Sequence, residues 1–246
     1  MSLLLVSALF LPLFPFSSIL NWLLAGIPNP VARFLLLLAW PQIGIGMLSL
    51  EPQAVPYGFA LWALATSIFY AVKLLTIRDL GLWGGFLACS ALALTWGIAG
   101  HGSTIEMQIF AFGFSLPAAL LQLLTGPLAE RFGAAFAGLY GGIADSLPRL
   151  SGVLVFAVLA AIATPPAPGF FALLGLLNNI DWPLALGVLF TWLLWTWAAT
   201  RLLQGFISGS ARMEAVGDIG RTTTVLYAGL IGAFVVTGLV LTRGMP

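Results

Sequence analysis

Apolar runs long enough to cross a bilayer recur along the whole chain, and the polar residues between them come in short clusters. Hydropathy, punctuated by Pro, Gly and charge, predicts helices near 3–26, 31–50, 55–77, 81–99, 106–127, 149–164, 167–179, 183–206 and 222–242. The longer runs hold roughly 18 or more residues, enough for a hydrocarbon core of about 30 Å. A transmembrane β-barrel needs strands of alternating polarity, and these runs are solidly apolar, so a barrel is excluded. The expected fold is an all-α polytopic membrane protein of about eight or nine transmembrane helices, some of them broken by proline.

Pro12 and Pro15 break the first segment, and Pro41 interrupts the second with Gly44 and Gly46 beyond it. The 167–179 segment is too short to span untilted. A proline inside a helix frees a backbone carbonyl, which at bilayer depth must face protein or water. One early and one late broken helix is the pattern that inverted-repeat transporters place around an ion site, although plain kinking also accounts for it. With nine helices alternating, Arg33, Lys73, Arg78, Arg131, Arg149 and Arg243 fall on one face, and Arg201, Arg212 and Arg221 on the other. The positive-inside rule makes the first face cytoplasmic.

Composition agrees with lipid as the solvent. Of 246 residues, 61% are hydrophobic and 7% charged, against about 25% charged in soluble domains. A net charge of +1 leaves no footprint for nucleic acid. The single cysteine, Cys89, excludes an intramolecular disulfide and any multi-cysteine metal site. Met1–Ala25 lacks the basic start and small-residue cleavage site of a signal peptide, and reads as a retained first membrane segment. No metal spacing, Gly-rich phosphate loop or nucleophile–base arrangement occurs, so neither cofactor nor metal is expected. The 9 Trp and 18 Phe suit interfacial belts and helix contacts. The Gly81–Gly85 and Gly138–Gly142 spacings suit close helix packing.

Five stretches carry a resemblance. They are P-F-S-S-I-L-N-W-L-L-A-G-I-P-N-P-V (15–31), Asp79 to Ser90, Phe114–Gly133 with Tyr140–Ile143, P-P-A-P-G-F-F-A-L-L (165–174), and R-L-L-Q-G-F-I-S-G (201–209). In this order they resemble the antiporter-like proton-translocating membrane subunits of respiratory complex I, Mrp-type antiporters, membrane-bound hydrogenases and inorganic-carbon-accumulating complexes. Pro15, Phe16, Pro28, Pro30 and Val31 fall at the family spacing, while its His, Trp and Asp positions hold Ser17, Ile19, Trp22 and Leu24. Asp79, Glu130, Arg131, Gly141, Gly142, Pro148, Arg201 and Gly209 match retained structural positions.

What the resemblance implies about chemistry lies in its losses. The family's proton-path lysine aligns with Gly81, its relay histidines with Phe114 and Phe110, and its terminal charged residue with Leu173. The lysine of the first broken helix aligns near Pro41 and Gln42. Family members have about fourteen helices, so the chain resembles a truncated second half. It divides as 1–78, a remnant of the first repeat; 79–209, the second five-helix-type repeat; and 210–246, a C-terminal helix.

Proton transfer through a membrane needs titratable groups near the midplane. Lys73 lies near a helix end, where it can snorkel. His101 and Glu106 stand at the start of the fifth segment as an interfacial pair or a water-facing one. Arg33 sits at a helix entrance, and Glu130, Arg131, Asp145 and Arg149 share one connecting loop. Asp181 is expected to cap the helix from Trp182, and Arg201, inside an apolar helix, to make a salt bridge or carbonyl contacts. Lys73, Glu106 and His101 are the candidates for any residual relay.

The expected function follows from these losses. It is a non-enzymatic, non-conducting accessory subunit in the lipid bilayer, expected in a bacterial inner membrane. Its partners would be a full-length antiporter-like subunit and others of the same complex, with inorganic-carbon uptake suggested by family analogy. The alternative is a subunit that conducts protons, cations or a small neutral solute. A lipid-directed enzyme would need a polar interfacial cluster, which only the 130–149 loop approaches.

Overall fold

Prolines and short polar caps decide where the helices begin. The computed structural model describes residues 2–51, 55–100, 102–139, 141–209 and 217–242. It contains α1 (Ser2–Phe10), α2 (Ser17–Gly26), α3 (Pro30–Ser49), α4 (Tyr57–Leu74), α5 (Leu80–Ala93) and α6 (Thr95–Ala99). These are followed by α7 (Thr104–Phe132), α8 (Ile143–Ser146), α9 (Pro148–Ala161), α10 (Pro168–Asn179), α11 (Trp182–Ile207) and α12 (Arg221–Thr242). Proline stands in the first turn of α3, α9, α10 and α11, where its missing N–H has no intrahelical partner to lose. Asn29 caps α3, Asp79 caps α5, and Ser103 with Glu106 forms a capping box on α7.

Six helical stretches are long and apolar enough to cross a membrane: Pro30–Ser49, Tyr57–Leu74, Leu80–Ala99, Thr104–Phe132, Trp182–Ile207 and Arg221–Val240. The chain is an integral membrane protein of all-α architecture. The remaining helices complete two discontinuous crossings, α1 with α2 and α9 with α10. The second is traced along α7, whose 29 residues reach roughly 43 Å. Arg149, at the start of α9, meets the loop before α12. Pro168 and Gly169, at the start of α10, press on Gly113 inside α7. Leu176 and Ile180, at its far end, reach Gly97 of α6. Both helices therefore run one after the other down the same pillar.

The described crossings number eight, within the expected eight or nine, but the nine-helix alternation behind the charge map is corrected. Segments 149–164 and 167–179 make one crossing, so Arg201 and Arg221 lie on the same face as Arg131 and Arg149. The connecting segments of that face are tied together. Ala137 N donates to Arg78 O at 2.8 Å, Gly138 N donates to Gly205 O at 2.8 Å, and Arg131 Nε donates to Gly217 O at 3.0 Å. Arg33, Lys73, Arg78, Arg131, Arg149, Arg201 and Arg221 all gather there, whereas Glu51, Glu106 and Asp181 mark the opposite face. Arg212 and Arg243 lie outside the described residues.

Of the two early breaks expected, only that at Pro12 and Pro15 occurs. The helix α3 continues through buried Pro41, and the interruption falls at 11–16. Pro41 removes one intrahelical hydrogen bond, which a helix absorbs as a kink. Pro12 and Pro15, three residues apart, remove two within one turn.

Lipid gives no hydrophobic drive for helix association, so contact quality holds the bundle. The pillar α7 packs on α3, α5, α6, α9 and α10, and α5 is buried on nearly every side. Glycine permits the tightest approaches. A Cβ on Gly113 would lie 3.1 Å from the Gly169 backbone, whereas one on Gly175 would meet nothing. Gly113→Val is therefore expected to destabilise the protein by about 1–3 kcal/mol. Gly175→Ala is expected to be neutral or stabilising by up to about 1 kcal/mol. Unfolding in mixed micelles measures both.

Candidate functional site

A break in a membrane helix leaves carbonyls that must find donors inside the protein. Here the donors are indoles. Trp40 Nε1 donates to Leu9 O at 3.2 Å, Trp96 Nε1 to Leu11 O at 3.0 Å, and Trp62 Nε1 to Phe14 O at 2.7 Å. Phe14 N in turn donates to Thr66 Oγ1 at 3.1 Å. At the second break Trp192 Nε1 donates to Ile162 O at 2.9 Å. Backbone oxygens that would otherwise be open to water or a cation are thus occupied. Trp22, Trp182 and Trp197 are exposed, whereas these four indoles serve the breaks.

Polar groups enter the bundle from the basic face and stop. The entrance is a cavity of about 230 Å³ lined by Asn21, Arg33, Asp79, Gly81 and Gln122 among others. Gly81 sits at its wall. A Cβ there would lie 3.2 Å from Asp79 Oδ1, 3.4 Å from Arg33 Nη1 and 3.5 Å from Gln122 Oε1. Gln122 is fully buried; its Nε2 donates to Gly81 O at 2.7 Å, while its Oε1 has no protein partner. Arg33, drawn in from α3, donates through Nε to Ile27 O. A polar cavity of this size has room for several waters.

Deeper in, Asn21 Nδ2 lies 3.3 Å from both Tyr70 OH and Cys89 Sγ, and Ser17 Oγ is 2.7 Å from Tyr70 OH. One turn along α4, Ser67 Oγ and Ser90 Oγ are 3.1 Å apart, and Trp195 Nε1 donates to Ser90 Oγ at 2.8 Å. There the hydroxyls meet an aromatic wall. The Phe114 ring is 5.6 Å from that of Trp195 and 4.9 Å from that of Phe110, and all three side chains are buried. Leu173 is buried in the same core. The buried polar residues are Ser, Thr and Gln, with Tyr70 and Cys89 beside them. Among the described residues no Lys, Arg, His, Asp or Glu is buried.

The other predicted residues disperse. Lys73 is exposed, its ammonium 4.9 Å from the Phe69 ring centroid and 6.0 Å from that of Phe86. Glu106 Oε2 accepts from Ser103 N at 2.7 Å, closing the capping box, and His101 lies outside the described residues. Gln42 is half-buried with Nε2 unpartnered among them. Asp79 Oδ1 accepts from Leu82 N at 2.8 Å. Glu130 is exposed, 4.0 Å from Arg131, whose Nη1 donates to Pro127 O at 2.9 Å. Two expectations fail. Asp181 stands at the N-cap of α11 without a capping hydrogen bond, because Pro183 removes one of the N–H groups it would serve. Arg201 is exposed and forms neither ion pair nor side-chain hydrogen bond among the described residues. Among those residues no group of three or more His, Cys, Asp or Glu converges.

Backbone superposition places this architecture among solved membrane complexes. A chain of the membrane-bound sulfane sulfur reductase, an archaeal respiratory membrane complex, matches with a TM-score of 0.83 at 14% identity, over 96% of this chain and 51% of that one. A chain of respiratory complex I from Thermus thermophilus matches at 0.80 and 21%, over 96% and 53%. A chain of the Mrp complex from Dietzia sp. matches at 0.84 and 13%, over 98% and 56%. The fold is that of the antiporter-like membrane subunits. The chain spans about half the length of the solved antiporter-like chains it matches. An uncharacterized protein of Aquifex aeolicus is 24% identical over 235 residues, 92% of this chain and 97% of that one. No family model matches the chain.

The indoles at the breaks yield a direct test. Trp96→Phe keeps the ring stacked 4.8 Å from Phe59 but leaves Leu11 O without its donor. The expected cost is about 1–3 kcal/mol, while Trp197→Phe, at an exposed position, is expected to cost under about 0.5 kcal/mol. Denaturant titration of the two variants in micelles gives the comparison.

Proposed function

We propose that this chain is a non-conducting accessory subunit of a proton- or cation-coupled membrane complex, held beside a full-length antiporter-like subunit. One observation carries the reading: the polar path from the basic face ends at Trp195, Phe114 and Phe110 without meeting a buried charged side chain. A pump needs a group that gains and loses charge along its path. Hydroxyls and amides can order water but supply no such switch. The indoles on the break carbonyls support the same reading, since they occupy acceptors that a permeating ion would use.

Proton flux into proteoliposomes, driven by a potassium diffusion potential and read by a pH-sensitive dye, is expected to match protein-free vesicles. Faster flux that Lys73→Ala or Glu106→Gln abolishes would overturn the reading. Affinity capture of the tagged chain from its native membrane is expected to bring down a full-length antiporter-like subunit, whose companions distinguish a carbon-uptake complex from a respiratory or Mrp-type one. A monodisperse chain without companions would sink the accessory role.

We also infer the orientation. With every described Lys and Arg on one face, the positive-inside rule makes that face cytoplasmic. The buried native thiol Cys89 leaves added cysteines readable. In intact cells a membrane-impermeant maleimide is expected to label Asp181→Cys and not Asp145→Cys. The reverse pattern would invert the assignment.

A further inference from the structure

On the basic face, a second cavity of about 310 Å³ lies between the ends of α4 and α11 and is lined by Arg78, Gly138, Arg201 and Gly205 among others. Among the described residues no carboxylate lines it. Arg78 and Arg201 come from different elements, and neither guanidinium makes an ion pair or hydrogen bond among the described residues. Two exposed guanidiniums that line one cavity without a counter-charge among the described residues make it a favourable place for an anion.

The wall of the cavity is backbone. Gly138, at φ +88°, would place a Cβ 3.8 Å from Arg78 Nη1, and a Cβ on Gly205 would lie 3.0 Å from that of Ala137. Side chains at either position would crowd the space beside the guanidiniums. The hydrogen bonds Ala137 N to Arg78 O and Gly138 N to Gly205 O hold this wall in place.

The surroundings say which anion. Leu186, Phe190, Leu193 and Trp197 are exposed at successive turns of α11, and Arg201 continues their stripe. Arg201 lies about 9 Å inside the cytoplasmic end of α11, within reach of the headgroup layer for a long side chain. An apolar stripe for acyl chains thus leads into a doubly cationic pocket. The neighbouring carboxylate, Asp79, caps α5 and lines the other cavity, so among the described residues the pocket has no carboxylate to receive an ammonium headgroup.

We propose that Arg78 and Arg201 form a site for the phosphodiester of an anionic phospholipid, with its chains lying along the Leu193–Trp197 face of α11. Each arginine supplies a planar fork suited to phosphate oxygens.

Native mass spectrometry of the full chain in mild detergent tests this, with phosphatidylglycerol, phosphatidylcholine and inorganic phosphate as probes. Phosphatidylglycerol is expected to bind in preference to phosphatidylcholine, and millimolar inorganic phosphate is expected not to displace it. Arg78→Gln and Arg201→Gln should each weaken phosphatidylglycerol about fivefold, and the pair more than about twentyfold, with the headgroup preference lost. Arg149→Gln, on the same face but outside the cavity, should leave binding unchanged. The Arg78→Lys/Arg201→Lys pair, which keeps the charge without the forks, should fall between wild type and the Gln pair. Wild-type affinity in the Gln pair, equal binding of phosphatidylcholine, or an equal loss in Arg149→Gln would overturn the proposal. Displacement by inorganic phosphate would reassign the site to the free anion and overturn the lipid.

Discussion

An unpaired carbonyl has nowhere to go in a bilayer, and this bundle is arranged around removing that problem at two places. Breaking a helix at 11–16 and again at 162–167 exposes backbone oxygens at the depth where water is absent. Helices α3, α4 and α6 each send an indole to the first break, and α11 sends one to the second. The position of these helices is therefore set by donor reach as well as by packing. Glycine contacts then bring the backbones close enough for such short bonds to form. A broken helix, commonly a device for exposing carbonyls to a passenger, is here closed by the protein's own side chains.

The interior is polar without being charged. From the Arg33–Asp79–Gln122 cavity inward, amide, phenol, thiol and hydroxyl groups succeed one another until the rings of Trp195, Phe114 and Phe110 intervene. Among the described residues charge stays at the two faces, and on the basic one arginines tie loops or line cavities. Burying a charged group is costly in lipid unless function requires it. A chain freed from proton transfer has every physical reason to lose such groups while keeping its helix-packing residues.

Much of this was legible in the sequence. The helices could be read because apolar length and proline are local signals, and predicted segments fall on the observed ones from 3–26 to 222–242. Parity was not legible, since 149–164 and 167–179 look alike whether they fold back or run on; only their seats along α7 decide it. Breaks were expected both at Pro12 with Pro15 and at Pro41, because a lone mid-helix proline reads much like a closely spaced pair; only the pair interrupts its helix. The Ser103–Glu106 spacing did carry a capping-box signal, yet Glu106 was paired in prospect with His101. The four break-capping tryptophans carried no local signal at all. Their partners lie 31, 48, 85 and 30 residues away, a tertiary fact invisible in composition. The sequence marked Gly81 as a lysine position without its side chain, but neither the cavity there nor the approach of Arg33 carried any local signal.

The separation between Leu11 and Trp96 has a consequence for biogenesis. A ribosome makes the first broken helix before any of its donors exist, and the indole that completes Leu11 O emerges 85 residues later. Until α6 has been threaded into the membrane, the opening segment must be sheltered by water, lipid headgroups or the insertion machinery. This segment is completed only by a helix made 85 residues after it.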